Sequence, residues 1–161
     1  MSVAIVYHSV TGNTEGVARQ IASATGGELI PVKDLESYNK ITLYVKGGAR
    51  AHRRQLDPID PAVIDVSRHN LIVIGTPVWA WSPTPAANAA IAALRGCEGK
   101  KGIVYATCGG KAGGTTAMMT EALAAKGVDV VGQFVFAQKE LGDEQKISAL
   151  VTAVKQAAGS P

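Results

Sequence analysis

Four short apolar runs rich in β-branched residues set the limits on how this chain folds. They are Val3–Tyr7 (VAIVY), Leu71–Gly75 (LIVIG), Gly102–Thr107 (GIVYAT) and the longer, nearly continuous Val128–Ala137 (VDVVGQFVFA). A strand covered on one face alternates apolar and polar residues. A run that is apolar throughout suits a strand buried on both faces, as in a parallel sheet between two helix layers. Glu28–Val32 is a weaker fifth strand, second in chain order.

Helical spacing fills the intervals. Val17, Ala18, Ile21 and Ala22 share one stripe of Thr14–Ala24, which Gly26-Gly27 ends. Pro85–Leu94 is rich in alanine, and Thr115–Lys126 stops at Gly127. In Asp143–Ala158, Ile147, Leu150, Val151 and Val154 recur at i, i+3, i+4 and i+7. A rougher stripe (Ile41, Val45, Ala49, His52) predicts a helix over Ile41–Arg54, interrupted at Gly47-Gly48. Asp57-Pro58 and Asp60-Pro61 then read as an extended linker. Without an internal repeat or linker-rich boundary, residues 1–161 are expected to form one α/β domain with helices on both faces of a parallel sheet.

Composition narrows the function classes. Of the 161 residues, 47% are hydrophobic and 18% charged, which excludes a disordered chain and allows a core that needs no disulfides. The net charge of +3 and the 5% aromatic content give no electrostatic case for nucleic-acid binding. No apolar run approaches the roughly 20 residues of a membrane span, and no basic segment precedes the apolar N-terminal run as in a signal peptide. Two cysteines, Cys97 and Cys108, form no disulfide framework and point to a reducing, cytoplasmic setting. His8, His52 and His69 lack metal-ligand spacing, so no metal site is expected.

In open α/β sheets, ligands bind beyond the carboxyl ends of the strands, which singles out three loops. The first, His8–Thr14 (HSVTGNT), gathers hydroxyls, an amide and a glycine at a helix N-terminus, where backbone amides favour an anion. The same residues could equally serve as a helix cap. The second, Thr76–Pro85 (TPVWAWSPTP), holds both tryptophans of the chain among three prolines. Such a stiff loop can present an indole to a flat ring, or bury it in the core. The third, Thr107–Thr115 (TCGGKAGGT), has four glycines that let backbone approach a ligand, yet matches neither a P-loop nor a dinucleotide fingerprint.

Taken together, these residues resemble the flavodoxin family. Ser9-Val10-Thr11-Gly12-Asn13-Thr14 is similar to its FMN-phosphate loop, Gly75-Thr76-Pro77-Val78-Trp79 to its aromatic-bearing loop, and Thr107-Cys108-Gly109-Gly110 stands in the place of its third loop. The unbroken Val128–Ala137 resembles the short-chain members. The resemblance implies a flavodoxin-like, doubly wound five-stranded sheet of order 2-1-3-4-5 that binds FMN. It implies Ser9, Val10, Thr11, Gly12, Asn13 and Thr14 around the phosphate, Thr76, Pro77, Val78, Trp79 and Ala80 at the ring with Trp79 stacking on it, and Cys108, Gly109 and Gly110 at the ring's polar edge. No catalytic acid, base or nucleophile is required, because the flavin carries the chemistry.

Two departures from the family bear on function. Acidic surroundings disfavour the anionic reduced flavin, and none of the three loops contains an acid, so a less negative potential is expected. Ala80 stands where many members have glycine, and a left-handed backbone is harder for alanine. Both favour two-electron chemistry. The resemblance therefore implies an electron carrier between redox partners, with an NAD(P)H-dependent FMN oxidoreductase acting on quinones as the alternative. Lys46, Arg50, Arg53 and Arg54 form the one marked basic cluster, read either as a solvated face or as a dock for an acidic redox partner.

Overall fold

The computed structural model describes residues 2–159; Met1, Ser160 and Pro161 of the expected 1–161 domain lie outside the described residues. Five strands form the central sheet: β1 (Val3–Tyr7), β2 (Glu28–Pro31), β3 (Leu71–Trp79), β4 (Lys101–Cys108) and β5 (Asp129–Ala137). All four pairings among them are parallel, and the order is β2-β1-β3-β4-β5, as the resemblance implied. The helices are α1 (Asn13–Thr25), α2 (residues 40–52), α3 (Pro85–Ala93), α4 (Thr115–Ala124) and α5 (Glu144–Gly159). Among the described residues no helix is long and apolar enough to cross a membrane.

The continuous apolar runs are explained by two cores, one on each side of the sheet. Ile72, Ile74 and Val104 face α3 and α4, while their neighbours Val73, Ile103 and Tyr105 face α1 and α5. Side chains alternate along a strand, so a strand with a helix layer on each side must be apolar at every position.

Three elements differ from the sequence reading. β3 does not close at Pro77 but runs on to Trp79 and turns back through Ser82–Pro83. By Pro77 the strand has outrun β1, whose last residue Tyr7 pairs with Gly75, and an amide-less residue is tolerated where one neighbour is missing. α2 is not a regular helix over Ile41–Arg54. It begins at the Asn39 cap, whose side chain accepts from the amides of Ile41 and Thr42, and widens into a π turn over Leu43–Gly47. The linker at Asp57–Pro61 is tied down by Ile59–Asp60, which pairs antiparallel with Lys33–Asp34.

One contact fixes the sheet beneath the carboxyl ends of β1, β3 and β4. Tyr105 is fully buried and lies across Gly75, so that a Cβ on Gly75 would sit 2.2 Å from Tyr105 Cζ. The Tyr105 hydroxyl donates to the carbonyl of Thr14 at the start of α1, at 2.8 Å. Gly75→Ala is therefore expected to destabilise the fold by about 1–3 kcal/mol or more, because the ring cannot move without breaking that bond. A lowered midpoint in thermal and denaturant unfolding checks it; a midpoint unchanged from the native chain would show that the ring repacks freely.

Candidate functional site

Above this contact lies a cavity of about 590 Å³, within the range of small-molecule sites. Its lining draws on each of the three loops: Thr11 and Asn13 from the first, Pro77–Trp81 from the second, and Thr107, Cys108 and Gly109 from the third. Leu43 and Gly48 of α2 and Gln138, just past β5, complete it. Among the described residues, no acidic or basic side chain lines the cavity.

Not every residue of the sequence reading lies there. Ser9 and Val10 line a neighbouring cavity of about 270 Å³ on the other side of Trp79 and Leu43. Thr14 is buried and turned inward, its hydroxyl 2.8 Å from that of Thr107. Thr76 is also buried; its hydroxyl donates to the carbonyl of Pro77 and accepts from the amide of Thr84. Gly110 is exposed and does not line the cavity. Sequence reasoning missed Leu43, Gly48, Gln138 and the part played by Trp81. Gln138 could have been found, since it follows the carboxyl end of a strand. Leu43 and Gly48 carried no signal, because a helix folding back over a distant loop leaves no local pattern.

The first loop leads into α1 with Gly12 at the cap position, at φ 94°, so the cap residue itself brings no side chain to the first helical amides. Ser9 Oγ instead accepts from the Glu15 amide at 3.2 Å. The amides of Asn13 and Thr14 are thus left for an anion, while the backbone geometry at Gly12 suits glycine and few other residues.

The second loop is a hairpin. Val78 pairs with Pro83 and Trp79 with Ser82, leaving Ala80 and Trp81 as a two-residue turn at φ 48° and 59°. Turns of this hand favour Asn-Gly, and non-glycine residues in the left-handed region are strained by roughly 1–2 kcal/mol each. The left-handed backbone that Ala80 was expected to resist is already adopted here. The turn leaves Trp81 65% exposed above the cavity, its Cβ lying where a side chain on Gly113 of the third loop would stand. Trp79, at 9%, is wedged below. Tyr38 and His8 meet it edge-on at ring distances of 5.3 and 6.1 Å, and Gly47 of α2 packs so closely that a Cβ there would be 3.0 Å from its ring.

Beneath α2 lies a buried polar cluster. The Asp57 carboxylate accepts from the Tyr38 hydroxyl at 2.5 Å and from Arg50 Nε at 2.9 Å, with a second Arg50 nitrogen also in contact. This cluster, together with Gly47, seats α2 on Trp79. Asp34 accepts from the Glu36 amide through one oxygen, while its other oxygen is buried without a donor. Burial, and then the Asp57 carboxylate, push Asp34 up to about 6 against the pull of that amide. Burial likewise depresses His8 to about 4 despite the attraction of Asp57, and leaves it neutral beside Thr84 Oγ1 at 2.7 Å. Burial, and then Glu140, raise the Cys108 thiol, so it is no activated nucleophile. In the basic cluster, Lys46 pairs with Glu36, Arg50 with Asp57 and Arg54 with Glu121.

Residues 1–142 match the sequence pattern of the NADPH-dependent FMN reductases. The chain belongs to this family. Solved structures with the same fold include a provisionally classed flavoprotein from Bacteroides eggerthii (TM-score 0.75, 18% identity, 99% of each chain covered). A flavoprotein from Lactobacillus acidophilus crystallised with FMN superposes with a TM-score of 0.67 at 21% identity, covering 90% of this chain and 99% of the other. The two-electron reduced flavodoxin of Megasphaera elsdenii gives 0.62 at 18%, covering 98% and 100%. Identities this low speak for the fold alone. No curated protein matches. The chain is a flavodoxin-like flavoprotein with FMN as its cofactor. The residues present fit that cofactor: a neutral cavity for the ring, with a helix start whose first two amides, of Asn13 and Thr14, carry no side-chain cap and are left for the phosphate.

Because Asp34 titrates higher in the folded chain than the ordinary 3.8, its protonation favours folding, and stability falls as pH rises from about 4 through about 6. Asp34→Asn is therefore expected to raise the melting temperature at pH 7.5 and to have little effect at pH 4. Equal shifts at the two pH values would show that the carboxyl pair is not responsible.

Proposed function

We propose that this chain is an NAD(P)H-dependent FMN oxidoreductase that hands electrons in pairs to a quinone-like acceptor. The observation that carries the reading is the absence of charge around the cavity: none of its lining side chains is acidic, so nothing there opposes a reduced, anionic cofactor. Membership of the reductase family supports it. The backbone at Ala80 is already left-handed, so the expected resistance of alanine to that conformation no longer favours either reading.

FMN, when bound, supplies reversible redox chemistry. The chain supplies position. Thr11, Gly12 and Asn13 offer backbone amides and polar side chains to the phosphate at the start of α1, with Ser9 bracing the loop through the Glu15 amide. Thr14 braces the same loop from inside, through Thr107 and Tyr105. Pro77, Val78 and the two tryptophans of the hairpin, all of which line the cavity, would flank the ring, with Trp81 as the exposed platform and Trp79 as the wall. Cys108 and Gly109 would border it from the third loop. An electron carrier docking an acidic partner through Lys46, Arg53 and Arg54 is the second reading, favoured by the exposure of Arg53 and of the Arg54–Glu121 pair. Salt-sensitive association with an acidic redox protein tests it.

Anaerobic mixing of the FMN-loaded protein with NADH or NADPH is expected to bleach the flavin's visible band, and a quinone to restore it. Failure of both nucleotides to bleach a flavin that dithionite does bleach would overturn the oxidoreductase reading. Trp81→Ala is expected to weaken FMN binding by about tenfold or more with little change in melting temperature, because an exposed indole contributes stacking area rather than core packing. Fluorescence titration of the apoprotein with FMN measures it.

A further inference from the structure

A second concave site lies on the face of the sheet covered by α3 and α4. It is a groove of about 400 Å³ that shares no lining residue with the flavin cavity. Ile91 of α3, Met118 of α4 and Leu56 form its apolar lining, and Leu56 is 54% exposed. Its polar lining is one-sided: Arg54, Asn88 and Lys126, with no carboxylate side chain lining it among the described residues.

Each of the three has donors left over. The Asn88 amide nitrogen is buried with no acceptor, an arrangement that a folded chain normally avoids. Lys126 Nζ donates to the carbonyls of Ala92 and Leu94 at 2.8 and 2.9 Å, near the C-terminus of α3, and an ammonium carries a third N–H. Arg54 sits at φ 54°, a strained conformation for a residue with a side chain, and its Nη1 contacts Glu121 at 3.2 Å in an exposed, weak pair. Its other guanidinium donors remain for a ligand.

An apolar trough edged by two cations and an unsatisfied amide donor is complementary to one kind of small molecule. We propose that this groove binds an amphipathic monocarboxylic acid, with its hydrocarbon body along Leu56, Ile91 and Met118 and its carboxylate toward Lys126, Asn88 and Arg54. A carboxylate accepts up to four hydrogen bonds and neutralises the local excess of positive charge. The proposal rests on nothing in the flavin cavity and stands whether or not the oxidoreductase reading does.

Octanoate and its uncharged counterpart 1-octanol are the probes, titrated into the full chain by calorimetry and by amide NMR shifts. Octanoate is expected to bind saturably at one site, with Kd of about 1 mM or tighter, and 1-octanol about tenfold more weakly. Lys126→Gln is expected to weaken octanoate about tenfold. Ala92→Phe, which fills the groove from an exposed position of α3, is expected to abolish binding and to keep Lys126 as an independent check should its own replacement fail to fold. Three outcomes overturn the proposal: no saturable binding, equal binding of octanol, or native affinity in folded Ala92→Phe.

Discussion

The contact of Tyr105 with Gly75 is the constraint on which the rest of the site depends. A fully buried ring on β4 occupies the volume that any side chain on β3 would need, and its hydroxyl holds the Thr14 carbonyl where α1 begins. The contact joins the two central strands to the first helix at the level where all three loops leave the sheet. The position of the phosphate loop relative to the ring cavity is thus set by core packing. That is why the loop itself can use exposed, uncharged residues and a left-handed glycine without losing its place.

Above that base the site is built from strain and neutrality. The Ala80-Trp81 turn holds two side-chain-bearing residues in the left-handed region, and in return a large indole stands exposed beside a cavity without a charged wall. Strained backbone persists only where surrounding structure over-determines it. Here the surroundings are the Val78–Pro83 pairing on one side and the glycine at position 113 on the other. The titratable groups nearby, Asp34 and His8, are displaced from their ordinary ranges mainly by burial; neither lines the cavity, and His8 meets Trp79 edge-on.

The strands and most helices were legible because burial on both faces writes itself into every residue of a strand; the order of the sheet came from the resemblance of the three loops to the flavodoxin family. Leu71–Gly75 needed no context to be read. The middle of the chain was harder. Gly47-Gly48 looks like a helix breaker in the sequence, yet the backbone continues through it as a widened turn, and Gly47 is small because Trp79, more than thirty residues away, packs against it. Pro77 looks like a strand end, but the missing neighbour beyond Tyr7 lets the strand pass through it. The basic cluster looked free for a partner, whereas Arg50 is committed to the buried Asp57.

Sequence alone determined a parallel α/β sheet with its ligand loops at one end and the absence of acidic residues from those loops, since both follow from which residue types stand at which spacing. Only the tertiary structure decided which of two neighbouring indoles faces solvent, that Thr14 and Thr76 bond inward, and that α2, with Leu43 and Gly48, closes the cavity. Those outcomes depend on contacts between residues far apart in the chain and on a turn whose handedness its own residues disfavour, and neither leaves a trace in local pattern.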